Sequence, residues 1–145
     1  MDASRHVAHV ISAGEWLATL ERGTVTLGYA DRCRRRVRLM DDTGVPLLVD
    51  LVYPAHLLDG DGLVTTDGTI IRVIAKPEPL IEAIAGDAQH LAQLAKQVRD
   101  RRAPVQIMDD RSLRITQDGE LEQVLRSLGA ATRTILAPFR PESGA

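Results

Sequence analysis

The side chains best equipped for chemistry form an arginine ladder, Asp31-Arg32-Cys33-Arg34-Arg35-Arg36-Val37-Arg38-Leu39. Read as a strand, it sends Arg32, Arg34, Arg36 and Arg38 to one side and Cys33, Arg35, Val37 and Leu39 to the other. A face of guanidinium groups recognises carboxylates, so the ladder can dock an acidic partner segment. The preferred reading of these residues alone is a solvated face neutralised by Asp31, Asp41, Asp42 and Asp50. Arginine neighbours favour the thiolate form of Cys33 and so metal or redox chemistry. Sharing a face with Val37 and Leu39 instead makes it a small buried hydrophobe, the reading preferred here.

Four histidines, His6, His9, His56 and His90, form no dense His/Cys cluster. His6 and His9 stand three apart, a spacing that could clasp a metal on a helix. They fall in the first ten residues, where order is least expected. His90 sits on the margin of an apolar helical stripe. Surface or edge roles are preferred for all of these. Asp109-Asp110 suits a hard cation, but turn chemistry accounts for the pair without one. Walker-type glycine loops, nucleophile elbows and His/Glu metalloprotease pairs do not occur, so the chain is not read as an enzyme.

The elements that position these groups change character along the chain. Up to residue 77 the sequence is β-rich. Thr24 to Tyr29, Arg34 to Leu39, Val45 to Val52 and Thr69 to Ile74 are strand-like, with turns at Asp41-Asp42-Thr43-Gly44, Gly60-Asp61-Gly62 and Asp67-Gly68. This predicts a small all-β module of two short sheets over 1–77. Lys76-Pro77-Glu78-Pro79 marks the boundary.

Beyond it, Leu80 to Ala85 predicts a strand. Leu91, Leu94, Ala95 and Val98 recur at helical spacing after Asp87. Strands follow at Val105–Ile107 and Leu113–Ile115. Asp118 then caps a second helix with Leu121, Val124, Leu125 and Leu128 on its apolar face, ended by Gly129. Thr132 to Leu136 is a last strand. Residues 78–145 therefore read as a ferredoxin-like βαββαβ domain, and the whole chain as α+β.

Composition bounds the function classes. In 145 residues, 44% hydrophobic and 26% charged, a net charge of −2 supplies no field to recruit nucleic acid or an acidic membrane. Trp16, Tyr29, Tyr53 and Phe139 are the aromatics. None lies in Val105–Met108 or Leu113–Thr116, so the base-stacking platform of an RNA recognition motif is missing. One cysteine fits a reducing compartment. No signal peptide or spanning segment is read, which makes cytoplasmic the expectation.

Several strings in a fixed order resemble the urease accessory protein of the UreE family, a nickel metallochaperone. They are the arginine-rich strand, Leu58-Asp59-Gly60-Asp61, Ala75-Lys76-Pro77-Glu78, Arg101-Arg102-Ala103-Pro104-Val105-Gln106-Ile107, Leu125-Arg126-Ser127-Leu128-Gly129 and Pro138-Phe139-Arg140-Pro141-Glu142. The resemblance implies an N-terminal β domain likened to a peptide-binding module and a ferredoxin-like metal domain. It also implies a homodimer that delivers Ni²⁺ to apo-urease with an accessory GTPase complex. The arginine face, Arg32, Arg34, Arg36 and Arg38, would serve partner binding.

The same resemblance exposes departures. The family's interface histidine corresponds to Arg102, whose guanidinium has no lone pair to donate. Further family histidines correspond to Gln97, Gln117 and Gly119, and the histidine-rich tail of many members is not in this sequence. His6, His9 and His90 remain as weak candidate ligands. Two functions follow: a nickel chaperone with weakened or altered binding, or a metal-free scaffold for urease or another metalloenzyme.

Overall fold

The computed structural model describes residues 5–53, 56–109 and 111–142. It divides into two compact units, Met1–Lys76 and Pro77–Ala145. Among the described residues no helix is long and apolar enough to cross a membrane.

The first unit runs β1 (Arg5–Ile11), β2 (Glu21–Leu27), α1 (Tyr29–Arg32), β3 (Arg36–Met40), β4 (Pro46–Asp50), β5 (Gly62–Thr65) and β6 (Ile70–Ala75), with a short 3-10 turn at Ala18–Leu20. Its α+β partner follows as expected, but the two short sheets anticipated here are one six-stranded sheet, ordered β2-β6-β5-β1-β4-β3. The cause is β1, a strand the sequence reading passed over. It pairs in parallel with β4 on one side and antiparallel with β5 on the other, so it stitches the two halves together. Asp42 brings the ends of the curled sheet towards each other. Its N–H donates to the Thr24 carbonyl, and its carboxylate accepts from Thr26 N–H.

Alternation along the strands fills the interior with Val7, Val25, Leu27, Val37, Leu47, Val49, Leu63, Ile71 and Val73. The Leu58–Asp61 string is turn chemistry. Asp59 accepts from Ala75 N–H, Gly60 takes φ 88°, and buried Asp61 accepts from Leu58 and Ala13 N–H.

In the second unit, β7 (Glu78–Ile84), α2 (Ala88–Asp100), β8 (Gln106–Ile107), β9 (Ser112–Thr116), α3 (Gly119–Ser127) and β10 (Ala131–Ala137) form an antiparallel sheet ordered β10-β7-β9-β8. That is the ferredoxin-like plan. Asp118 caps α3 as predicted, accepting from Leu121 N–H, and Asp87, near which the first helix was expected to start, caps α2 by accepting from His90 N–H. Leu91, Leu94, Ala95 and Val98 of α2 and Leu121 and Leu125 of α3 close over Ile81, Ala83, Leu113 and Ile115. Each such leucine contributes roughly 1.5–3 kcal/mol by leaving water. Leu128, expected on that face, is 42% exposed because the helix has already ended there as a C-cap.

The Pro138–Glu142 string straps this unit. Phe139 is fully buried, Arg140 N–H donates to Gln106, and Glu142 N–H donates to the Val105 carbonyl. Glu142 also pairs with Arg99 at 2.7 Å.

Candidate functional site

The arginine ladder is broken in two by a helical turn. Gly28 opens α1, which carries Tyr29 through Arg32, and the strand begins only at Arg36. Arg32 therefore does not share the face assigned to it. Its side chain is 2% exposed and donates to the carbonyls of Leu27 and Leu57, with its guanidinium 5.7 Å from the Tyr29 ring centre. The turn is closed by its own backbone, Arg32 N–H on the Gly28 carbonyl and Cys33 N–H on that of Tyr29, and the Leu57 carbonyl from a remote loop draws the guanidinium inward. Arg35 likewise donates to the Leu51 carbonyl.

What survives of the ladder is Arg34, Arg36 and Arg38, all exposed or half-exposed around a groove of about 460 Å³ that Val37 and Leu48 also line. The neutralising acids are mostly engaged elsewhere. Arg5 holds Asp41, and Thr24 and Thr26 hold Asp42. Asp31 stands 3.9 Å from Arg34, while Asp50 lies across from Arg36 in register without an ion pair. Arg36 and Arg38 have no salt bridge to any described residue.

Cys33, expected to be buried, is half-buried, and its Sγ lies 3.5 Å from His56 Nδ1. Cys33 is the C-cap of α1 and not part of the strand that carries Val37. Its neighbour Tyr29 is pushed up to about 12 by burial and by the adjoining Cys33.

The remaining histidines are not assembled into a centre. His6 and His9 lie on β1, where residues three apart have Cα atoms roughly 10 Å from each other instead of one helical turn. A bulge between Val7 and His9 lets Val7 and Val10 both reach the core and leaves the two histidines exposed. His90 has no nitrogen to spare. Nδ1 accepts from Gly86 N–H at 2.9 Å, and Nε2 lies 2.8 Å from the Leu128 carbonyl. With Nδ1 accepting, Nε2 must carry the proton and donate, so the ring ties the start of α2 to the end of α3 and offers no lone pair to a cation. Asp109 accepts from Arg111 and Ser112 N–H, which makes it the turn predicted; those bonds hold its carboxyl below the usual range despite the opposing effect of burial. Asp110 lies outside the described residues. Among the described residues no group of three or more His, Cys, Asp or Glu is placed to hold a metal ion.

The four positions that the resemblance sets against family histidines nevertheless lie near one edge of the second unit. Gln97 lies on the last turns of α2 and Arg102 just past its end; Gln117 and Gly119 flank the cap of α3. Arg101 Nη1 lies 3.9 Å from Glu120 Oε1, which sets the end of α2 beside the start of α3.

Arg102 has φ 58°, the one positive value among described non-glycine residues. Its N–H donates to the Arg99 carbonyl, and Ala103 N–H donates to the Val98 carbonyl. That pair of bonds is a Schellman helix end, with Arg102 in the left-handed position usually given to glycine. Its side chain is exposed. Nothing lies within 4 Å of where a Cβ on Gly119 would stand, so that position has room for a side chain. The edge is open, cationic at one end and without imidazole.

One cluster escaped the sequence reading. Glu82, 5% exposed on β7, accepts from Arg114 Nε and Arg133 Nε, each at 3.0 Å, its direct neighbours on β9 and β10. Burial raises its pKa, but the two guanidinium groups outweigh this and hold the carboxyl below its ordinary range. A single glutamate inside the apolar run Leu80–Ile84 was the available signal.

A curled β-sheet unit followed by a ferredoxin-like unit defines a two-domain α+β protein. Residues 5–76 match the UreE urease accessory protein N-terminal domain and residues 78–145 the UreE urease accessory protein C-terminal domain. The chain belongs to the UreE urease accessory family, a family of accessory proteins and not of enzymes.

It is 44% identical over 122 residues to the urease accessory protein UreE of Bradyrhizobium sp. (strain ORS 278), covering 84% of this chain and 58% of that protein. Identity to the namesake of Rhodopseudomonas palustris (strain HaA2) is 43%, covering 84% of this chain and 56% of the relative. For Chelativorans sp. (strain BNC1) it is 43%, covering 84% and 77%. The match thus spans little more than half the length of the first two relatives.

Proposed function

We propose that this chain is a cytoplasmic urease accessory metallochaperone that assists nickel delivery and assembly of the urease metallocentre, with nickel binding weakened or altered. Family membership supports the urease role. The residues at the α2–α3 edge support the alteration: Arg102, Gln97, Gln117 and Gly119 carry no imidazole or carboxylate among them. In the dimer the family implies, two copies of Arg102 facing across the axis would repel Ni²⁺ and each other. Residues 1–77 would then recognise partners, apo-urease and the GTPase complex, through Arg34, Arg36 and Arg38, while residues 78–145 would dimerise and handle the metal.

A metal-free assembly scaffold is the second reading, favoured by the guanidinium groups of Arg36 and Arg38, which make no salt bridge to any described residue. Isothermal titration of the tag-free protein with Ni²⁺ separates the two. Saturable binding of one ion per dimer supports carriage, and an absence of saturable heat supports the scaffold. Pull-down against apo-urease and the GTPase complex tests the shared premise, and failure with both would remove the urease assignment.

A further inference from the structure

Among the described residues the sheet of the first unit ends at β3, whose outer edge carries no neighbouring strand along Arg36–Met40; just beyond it Asp42 is bonded to Thr24 and Thr26 of β2. Backbone N–H and C=O groups along such an edge are a template for one more strand. On the face beside it stand Arg36 and Arg38, two residues apart and so about 7 Å from each other along the strand, without ion pairs. Arg34 extends the row, Leu48 joins it in lining the groove, and Met40, 65% exposed, ends the strand with an apolar side chain.

The charge decides among occupants. A second copy would bring the same guanidinium row against this one, which repels self-pairing. An apolar segment would leave the guanidinium groups unmatched. A strand with carboxylates at alternate positions matches both the spacing and the sign.

We propose that β3 receives an extended acidic segment of a partner protein as a seventh strand, its alternate carboxylates on Arg34, Arg36 and Arg38 and an apolar residue beside Met40. This rests on reading the first unit as the partner-recognition part. It requires neither nickel nor urease, so its failure leaves the maturation role standing.

The test is fluorescence anisotropy of the full chain with a short labelled peptide bearing glutamate at alternate positions and a closing leucine. Two further peptides carry N-methyl groups on the odd or the even backbone amides. Strand addition uses one set of amides, so one N-methylated peptide should lose binding about tenfold while the other keeps it. The Arg36→Glu/Arg38→Glu variant, checked for folding by circular dichroism, should also weaken binding by about tenfold or more. Equal behaviour of both N-methylated peptides, unchanged binding by the arginine variant, or equally tight binding of single-stranded DNA each overturns the proposal. The last of these would mark bare polyanion attraction.

Discussion

Arg101 Nη1 stands 3.9 Å from Glu120 Oε1, and through that pair the end of α2 and the beginning of α3 form one open edge. Arg102 and Gly119 each sit next to one member of the pair. Two imidazoles placed there would share an edge whose backbone already accepts them: histidine is among the residues enriched in the left-handed region, and Gly119 has open space above it. The Arg102→His/Gly119→His double variant should therefore bind Ni²⁺ about tenfold or more tightly than the parent chain in isothermal titration. Equal affinities would show that the missing imidazoles are not what sets nickel binding here.

Arg102 is also a stability test of its own backbone. A side chain in the left-handed region costs roughly 1–2 kcal/mol, and glycine recovers this less about 0.5–1 kcal/mol for the freer unfolded chain. Arg102→Gly should raise stability by about 0.5 kcal/mol in urea unfolding. Arg102→Val, β-branched at the same φ, should lower it by about 1 kcal/mol or more.

His90 holds together both helices through backbone groups, so its loss should be felt in stability and not in metal binding. His90→Ala leaves the Gly86 N–H and the Leu128 carbonyl without their partner and should cost about 1–2 kcal/mol by thermal melting. Nickel titration heats should match those of the parent. A drop in nickel affinity at unchanged fold would return the ring to the list of ligands.

Glu82 anchors three strands by its carboxylate. Glu82→Gln keeps the volume but leaves Arg114 and Arg133 facing a neutral amide in a buried site. A loss of about 2 kcal/mol is expected, less than for a fully enclosed triad because the Arg133 side chain is 64% exposed. Chemical denaturation measures it, and a neutral result would mean the cluster specifies register without adding stability.

Acid should act through Asp41. Burial raises its pKa, but the bonds from Thr43, Val45 and Arg5 prevail and hold it at about 2, below the ordinary 3.8. A lowered folded-state pKa gives stability that is complete above the unfolded value and is lost as pH falls from about 4 through about 2. The difference corresponds to about 2 kcal/mol. Asp41→Asn should flatten the acid limb of the stability curve across that window, and an unchanged limb would assign acid unfolding to other carboxylates.

Much of this molecule is legible along the chain, for reasons that lie within a few residues. Asp87 and Asp118 cap the next turn, Leu91–Val98 and Leu121–Leu125 repeat at the helical period, and Gly129 at φ 94° ends α3, all local events. The order of those elements already spells the ferredoxin-like plan. Family strings and the missing imidazoles are likewise properties of residue identity.

Distant contacts decided the rest. The Leu57 carbonyl, 25 residues on, accepts from the Arg32 guanidinium and takes it out of the arginine face. Two flanking strands give β1 its place, where six exposed and half-buried residues around Val7 carried no alternating signal of their own. Leu128, 38 residues on, takes the nitrogen of His90 that the local Gly86 N–H leaves over. Periodicity reports what a residue does with its neighbours in sequence, whereas partners supplied by remote segments depend on the closed fold, and those partners settle which charged and ligating groups remain available.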